Sequence, residues 1–168
     1  MKNIVLVGFS GSGKTTIGRA LANRLGLEFV DLDSAIEEKY HSTIPHIFEK
    51  YGESVFRQCE YQTLKEKLAC PDIVLSTGGG APTYKDAMQL IKANAFSIYL
   101  NLSEESLVNR LKHSKKVRPL TSSLPDEALQ EYVHSTLQKR LPYYEMADLS
   151  VKEENIKVET IAEKILKI

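Results

Sequence analysis

The sequence predicts an α/β fold in which a central five-stranded parallel sheet lies between two layers of helices. Short, almost continuously apolar segments alternate along the chain with longer segments of helical periodicity. Near-continuous apolar runs are typical of strands that are covered on both faces, as in a parallel sheet. Alternation of strand and helix favours right-handed crossover connections, which place helices on both sides of such a sheet.

Five segments are predicted to be strands. They are 3–7 (NIVLV), 28–32 (EFVDL), 72–76 (DIVLS), 95–102 (AFSIYLNL) and the shorter 149–151 (LSV). A closing amphipathic helix is predicted around 156–167. The chain shows no repeat, low-complexity tract or interdomain linker, so residues 1–168 are expected to form a single domain.

The first helix is predicted to begin near Lys14 and to end just before Gly26. Ile17, Leu21 and Leu25 recur at intervals of four residues, which places them on one face of a helix. A glycine directly after the last periodic residue is a common helix end. The first strand and this helix are therefore joined by a short glycine-rich loop.

Composition indicates an ordinary globular protein with no dominant charge. The chain has 168 residues, of which 42% are hydrophobic, and it carries 22 basic and 22 acidic side chains. A balanced charge creates no global field that attracts nucleic acid or an anionic membrane. Neither a signal peptide nor a membrane span is indicated, and Cys59 and Cys70 lack metal-ligand spacing. We expect a cytoplasmic monomer with free thiols that binds small molecules.

Residues 8–15, GFSGSGKT, match the phosphate-loop pattern GxxxxGK[ST] completely. Glycines in such a loop let successive backbone N–H groups point at an anion, and the following helix directs its positive end to the same place. Lys14 can bridge the β- and γ-phosphates, and the Thr15 hydroxyl can bind Mg²⁺. The loop therefore predicts a nucleoside triphosphate site.

The rest of the chain limits the kind of nucleotide protein. A GTPase would usually carry an Asn-Lys-x-Asp motif for the base, and none is present. A motor or a large ATPase would need a longer chain. Small kinases and non-catalytic nucleotide-binding modules remain.

Asp31 and Asp33 come at the end of the second predicted strand. If the strand continues through both residues, their side chains point the same way, because residues two apart in a strand lie on one face. One carboxylate could then hold Mg²⁺ and the other could bind substrate hydroxyls or accept a proton. The alternative is that they cap a following helix, because DSAIEE resembles a helix start.

The segment STGGGAP, residues 76–82, follows the third predicted strand and is expected to form a loop. Ligands of open α/β sheets bind beyond the carboxyl ends of the strands. Gly78, Gly79 and Gly80 could offer backbone N–H groups to a ligand there. A merely flexible turn is the alternative.

Three arginines are candidate ligand-binding residues, although none is persuasive alone. Arg57 has Glu60 three residues on, which is also the pattern of a surface ion pair. Arg140 precedes Pro142, which is predicted to stop its helix, and a cation there is favourable in any case. Arg118 lies in a basic, Ser/Pro-rich segment, 110–127, which is too long for a simple connection and is typical of a lid.

Taken together, these residues resemble the shikimate kinases, small P-loop kinases of the nucleoside monophosphate kinase fold. The segments GFSGSGKTTIGRALA, DLD, IFEKYGESVFRQCE, STGGGAP, VRPL and RLPYYEMA occur in the family's order and at similar spacing. The combination of DLD, FR, GGG, RPL and R-x-x-Y-x-E-x-A is highly specific. The resemblance implies a three-layer α/β/α P-loop kinase with an acceptor-binding segment at about 32–60 and a mobile lid at about 111–124.

The resemblance also implies roles for individual residues. Those expected to bind ATP are Gly11, Ser12, Gly13, Lys14, Thr15, Thr16, Arg110 and Arg118. Those expected to bind shikimate are Asp33, Arg57, Gly78, Gly79, Gly80 and Arg140, with an apolar wall of Ile44, Phe48 and Phe56. Thr15 and Asp31 match the Mg²⁺ position, and Glu60 matches a residue that orients Arg57.

The implied reaction is transfer of the γ-phosphoryl group of MgATP to the 3-hydroxyl of shikimate, in the pathway to aromatic amino acids. Lys14, Asp33 and Arg118 are the expected catalytic residues, with the role of Asp33 as a base left open. Gluconate also carries a carboxylate and hydroxyls, so a kinase of the same fold for gluconate or a nucleoside monophosphate is an alternative. A non-catalytic nucleotide-binding module is another.

Overall fold

The computed structural model describes residues 2–152 and 157–167. Its five strands form one parallel sheet in the order β2-β3-β1-β4-β5. The strands are β1 (Asn3–Val7), β2 (Glu28–Asp31), β3 (Ile73–Ser76), β4 (Ala95–Leu100) and β5 (Leu149–Val151). The predicted five-stranded parallel sheet is thus confirmed, although β2 and β4 end earlier than the apolar runs suggested.

Helices connect the strands and cover both faces of the sheet. They are α1 (Lys14–Leu25), α2 (Leu32–Tyr40), α3 (Ile44–Leu68), α4 (Ala87–Asn94), α5 (Glu104–Lys112), α6 (Asp126–Tyr144) and α7 (Val158–Leu166), with a 3₁₀ turn at Ala81–Thr83. The predicted closing helix is therefore α7, and residue 156, where its prediction begins, lies outside the described residues. No helix in the described parts of the chain is long and apolar enough to cross a membrane.

The core has two parts, one on each face of the sheet. Val5 and Val7 of β1 lie in the larger cluster, which includes side chains of α2 to α6. Ile4 and Leu6 point the other way and contact α1 and α7. All four are fully buried, and each such side chain stabilises the fold by about 1.5–3 kcal/mol relative to an exposed one. Burial on both faces is why β1 reads as a continuous apolar run.

The second strand does not continue through Asp33, which was the condition for the two carboxylates to point the same way. The strand ends at Asp31, and Leu32 begins α2. The Oδ1 atom of Asp31 accepts a hydrogen bond from the backbone N–H of Ser34 at 3.2 Å, so Asp31 caps this helix. Asp33 lies in the first turn of α2, and strand alternation does not orient it.

The prediction that Pro142 stops its helix is wrong. The sixth helix continues through Pro142 to Tyr144. A proline lacks the backbone N–H that would donate to the residue four earlier, so the helix continues here with one hydrogen bond fewer. Arg140 and Tyr144 are consequently one helical turn apart on the same face.

Candidate active site

Three loops meet at the carboxyl-terminal edge of the sheet. The phosphate loop follows β1, Asp31 ends β2, and the glycine triplet 78–80 follows β3. Because β3 lies between β1 and β2, the strands of the phosphate loop and of Asp31 are not neighbours. The glycine triplet therefore lies between the phosphate loop and the two aspartates.

The phosphate loop folds as its glycines require. Gly13 adopts a left-handed conformation, φ 93°, immediately before α1 begins at Lys14. The Lys14 ammonium is buried and donates hydrogen bonds of 2.8 Å to the carbonyl oxygens of Gly8 and Phe9. Burial lowers the pKa of Lys14 from 10.5 to about 7, partly offset by Asp33. A bound anion would favour the charged form and raise this pKa.

Thr15 and Asp31 lie together beside the phosphate loop. The Thr15 hydroxyl donates to Oδ2 of Asp31 at 2.9 Å. Hydroxyl and carboxylate oxygens are the hard ligands that Mg²⁺ prefers. In such sites, phosphate oxygens and water complete the coordination of Mg²⁺. The donor set therefore fits Mg²⁺ that enters with a nucleotide.

A cavity of about 570 Å³ extends from the phosphate loop to the lid. Its lining includes Thr16 and the guanidinium group of Arg110, which approaches Gly13. A second cavity of about 130 Å³ continues from it beneath the lid. Asp33, Gly78, Gly79 and Arg118 line both cavities, so a group held in one can reach the other.

Arg57 is held by two glutamates at the wall of the smaller cavity. Its Nη1 atom lies 2.7 Å from Oε1 of Glu60, and its Nη2 atom lies 3.3 Å from Oε1 of Glu53. Glu60 is 2% exposed, and its burial raises its pKa from 4.5 to about 6 against the opposing effect of Arg57. At neutral pH Glu60 is mostly ionised, so it fixes the guanidinium of Arg57.

Arg140 reaches the same cavity from α6. Its guanidinium carbon lies 5.3 Å from the ring centroid of Phe9. Among the described residues, no carboxylate lies within ion-pair distance of Arg140. A half-buried guanidinium without a counter-ion is a site for an anionic ligand.

The glycine triplet 78–80 provides room for these charged groups. A Cβ atom built on the first, second and third glycine would lie 2.8 Å from Glu60, 2.8 Å from Arg140 and 2.5 Å from Arg57. None of the three glycines has a positive φ. They are therefore required by the close approach of side chains and not by backbone conformation.

An apolar wall closes the far side of the smaller cavity. Ile44 and Phe56 are buried, and the ring centroids of Phe48 and Phe56 are 4.7 Å apart. All three side chains line the cavity with Arg57 and Arg140. The cavity therefore combines guanidinium groups, carboxylates and an apolar surface, as a small polyhydroxylated acid requires.

Sequence comparison gives the family. The family model described as shikimate kinase matches residues 10–168. The chain belongs to the shikimate kinase family. It is 39% identical over 160 residues to the shikimate kinase of Parabacteroides distasonis, covering 95% of this chain and 92% of that one. It is 41% identical over 167 residues to the shikimate kinase of Thermodesulfovibrio yellowstonii, covering 99% and 94%.

Structural comparison agrees. The shikimate kinase of Acinetobacter baumannii in complex with shikimate has a TM-score of 0.89 and 39% identity, covering 99% of this chain and 92% of that one. The shikimate kinase of Bacteroides thetaiotaomicron has a TM-score of 0.89 and 34% identity, covering 99% and 97%. A gluconokinase from Sinorhizobium meliloti, at 20% identity and a TM-score of 0.61, is similar in fold alone.

The structure brings the residues predicted from the shikimate kinase resemblance to these two adjoining cavities. Those that line the larger one are Gly11, Gly13, Lys14, Thr15, Thr16, Asp31, Asp33, Gly78, Gly79, Arg110 and Arg118. Those that line the smaller one include Ile44, Phe48, Phe56, Arg57, Glu60, Gly80 and Arg140. Ser12 is the exception, because it is buried beneath the loop with its hydroxyl 3.4 Å from the Lys14 ammonium.

The segment predicted to be a lid, about 111–124, corresponds to the connection between α5 and α6. The fifth helix continues to Lys112, so the connection to α6 spans residues 113–125. Arg118 is held within it, since its Nη1 atom donates to the Ser114 hydroxyl at 2.5 Å and its backbone N–H to the Ser122 hydroxyl at 2.6 Å. Burial lowers the pKa of Arg118, against the effect of Asp33.

Two functional candidates were missed from the sequence. Lys116 reaches across from the lid to Asp33, and Tyr144 donates a hydrogen bond to the carbonyl of Gly79. In the sequence, Lys116 is one of several basic residues in the segment 110–118, and Tyr144 is part of the RLPYYEMA motif. Both contacts join distant parts of the chain, and no local signal identifies them.

Proposed function

We propose that this protein is a shikimate kinase that transfers the γ-phosphoryl group of MgATP to the 3-hydroxyl of shikimate. The observation that carries the proposal is the position of Arg140. It is a cation for which the described residues supply no counter-ion, and it shares with Arg57 and Asp33 a small cavity that opens onto the phosphate loop. An acceptor held there would have its hydroxyls next to the nucleotide site.

The larger cavity would bind the nucleotide. The phosphate loop and Lys14 would hold the β- and γ-phosphates, with Arg110 beside the loop on the nucleotide side. Thr15 and Asp31 would hold Mg²⁺, directly or through water. When bound, Mg²⁺ supplies positive charge that neutralises the phosphate oxygens during transfer.

The smaller cavity would bind shikimate. Guanidinium groups bind both oxygens of a carboxylate at once, so Arg57 and Arg140 are suited to the shikimate carboxylate. Arg57 comes already oriented by Glu60, which reduces the entropy lost on binding. Asp33, at the junction of the cavities, would accept hydrogen bonds from the ring hydroxyls.

Catalysis would depend on positioning and charge. Asp33 would orient the 3-hydroxyl in line with the γ-phosphoryl group, and Lys14 and Arg118 would stabilise the charge that develops on it. Mobile arginines in this role raise turnover by roughly 10³–10⁵ in well-studied phosphotransferases. The 113–125 segment covers the cavity junction through Arg118 and would exclude water, which otherwise competes as acceptor.

The test is ADP release from MgATP with shikimate, gluconate or a nucleoside monophosphate as separate acceptors. Strong stimulation by shikimate alone, with a 3-phosphate product identified by NMR, is the expected result. Stimulation by another acceptor would keep the kinase but reject the assigned acceptor cavity. Binding of ATP without any stimulation would favour a non-catalytic module.

A further inference from the structure

Tyr144 lies at the point where α6 meets the glycine triplet. Its side chain is fully buried, and its ring is tilted against that of Tyr99 in β4 with centroids 5.1 Å apart. Its hydroxyl donates a hydrogen bond of 2.5 Å to the carbonyl oxygen of Gly79. Burial raises the pKa of Tyr144 to about 12, against the opposing effect of the nearby Arg140 guanidinium, so the hydroxyl keeps its proton at neutral pH. It is therefore a permanent donor to one specific peptide group.

That peptide group joins two glycines and is otherwise easy to rotate. Without Cβ atoms, Gly79 and Gly80 oppose a flip of the plane between them less than any other residues would. In a trans peptide the carbonyl of one residue and the N–H of the next point in opposite directions. When Tyr144 holds the Gly79 carbonyl on the core side, the Gly80 N–H is turned away from the core.

The Gly80 N–H is available to a ligand. In the described parts of the chain it donates to no protein acceptor, whereas the N–H of Ala81 bonds to the carbonyl of Gly78 and that of Thr83 to the carbonyl of Gly80. Gly80 lines the smaller cavity, where the Arg57 guanidinium lies against its Cα. A free N–H beside a guanidinium is a favourable place for a carboxylate oxygen.

We propose that Tyr144 is a positioning residue for the acceptor. Its hydroxyl fixes the Gly79–Gly80 peptide so that the Gly80 N–H, together with Arg57, faces the acceptor carboxylate. This inference rests on the proposed function. Because Arg140 lies one turn earlier on α6 and its guanidinium approaches the Cα of Gly79, the same helix sets both the arginine and the peptide.

Tyr144→Phe removes the hydroxyl and keeps the ring, and Tyr99→Phe is its matched control. Tyr99 is equally buried, packs on the same ring, and within the described residues makes no hydrogen bond to the glycine triplet. For Tyr144→Phe we expect KM for shikimate, and Kd measured without nucleotide, to rise about 10-fold, as loss of one charge-assisted hydrogen bond predicts. We expect kcat and KM for ATP to change less than about 2-fold, and Tyr99→Phe to retain the affinity of the parent protein for shikimate.

The proposal would be overturned if Tyr144→Phe and Tyr99→Phe lost shikimate affinity alike. It would also be overturned if Tyr144→Phe lost shikimate affinity, ATP affinity and kcat to the same extent. If Tyr144→Phe does not fold, the parent protein supplies the test through the amide NMR signal of Gly80. A large shift of that signal on addition of shikimate supports the proposal, and an unmoved signal rejects it. Parent protein that releases no ADP in response to shikimate would instead reject the proposed function, and it is measured first.

Discussion

The Nζ atom of Lys116, on the lid, lies 3.0 Å from the Oδ2 atom of Asp33, on the first turn of α2. The two residues are 83 positions apart in sequence. Oδ1 of the same carboxylate faces the glycine triplet, 3.4 Å from the position of a Cβ on Gly78. Lys116 therefore occupies one of the two carboxylate oxygens that, under the proposed function, would receive the acceptor hydroxyls.

Lys116→Met is expected to strengthen binding of shikimate in the absence of nucleotide by about 2- to 5-fold. The lysine competes with an acceptor hydroxyl for Asp33, and a partly exposed ion pair of this kind is worth about 0.2–1 kcal/mol. Isothermal titration of shikimate into both proteins measures the change. Lys115→Met is the control, since Lys115 makes no contact with Asp33, and weaker binding in Lys116→Met would show that the lysine assists the acceptor.

Arg140→Ala is expected to raise KM for shikimate by more than about 100-fold while KM for ATP changes less than about 3-fold. The variant removes an arginine of the cavity that has no acidic partner among the described residues, and a lost charged contact to a ligand costs about 2–5 kcal/mol. Steady-state kinetics with each substrate varied separate the two effects. The exposed Arg24→Ala serves as control, and equal losses for both substrates would contradict the assignment of Arg140 to the acceptor.

Gly80→Ala is expected to abolish measurable shikimate binding with little loss of ATP binding. The new Cβ would lie 2.5 Å from the Arg57 guanidinium and force it out of place. Gly26→Ala is the informative comparison, because Gly26 has φ 68° with nothing within 4 Å of a Cβ. That variant should lose about 1–2 kcal/mol of folding free energy and keep its affinity for shikimate. Calorimetry and denaturant unfolding of the two variants test whether space or backbone conformation matters at each position.

The lowered pKa of Lys14 predicts that nucleotide binding is accompanied by proton uptake. With a pKa of about 7 in the free protein, its amine is mostly neutral at pH 8, and a bound triphosphate favours the ammonium. Titration calorimetry at pH 8 in buffers of different ionisation enthalpy should therefore report uptake of up to one proton per ATP. Lys14→Met should show none from this source and should lose most turnover while remaining folded. Substantial surviving activity in Lys14→Met would contradict the phosphate-loop mechanism.

Glu60 predicts a pH-dependent cost to stability. Its pKa is raised to about 6 in the folded protein from about 4.5, so between these values the folded state binds more protons than the unfolded state. Its contribution is most favourable below about pH 4.5 and is lost as the pH rises through 6, a change of about 2 kcal/mol. Between pH 4.5 and 7.5, the free energy of unfolding of the parent protein in urea should fall by about this amount because of Glu60. Glu60→Gln lacks this titration, so its stability relative to the parent protein should rise by about the same amount over that range. Glu53→Gln, at the exposed partner of Arg57, should show no such gain.

The sequence alone determined the features that local chemistry encodes. The phosphate loop is recognisable because the glycines, Lys14 and Thr15 are contiguous and must be so to surround a phosphate. The parallel sheet is recognisable because burial of both faces leaves continuous apolar runs, as in β1. The family follows from the order and spacing of the motifs, and the matched family model agrees.

The assembly of the site depends on contacts between distant parts of the chain. The order of strands places the glycine triplet between the phosphate loop and Asp33, and the end of β2 at Asp31 puts Asp33 on a helix. Lys116 meets Asp33 and Tyr144 meets Gly79 across 83 and 65 residues of chain. Such contacts depend on how helices pack on the sheet, and a pattern within one segment does not contain that information. The glycine triplet has the same cause, since its Cα atoms must admit side chains from α3 and α6 that become neighbours only on folding.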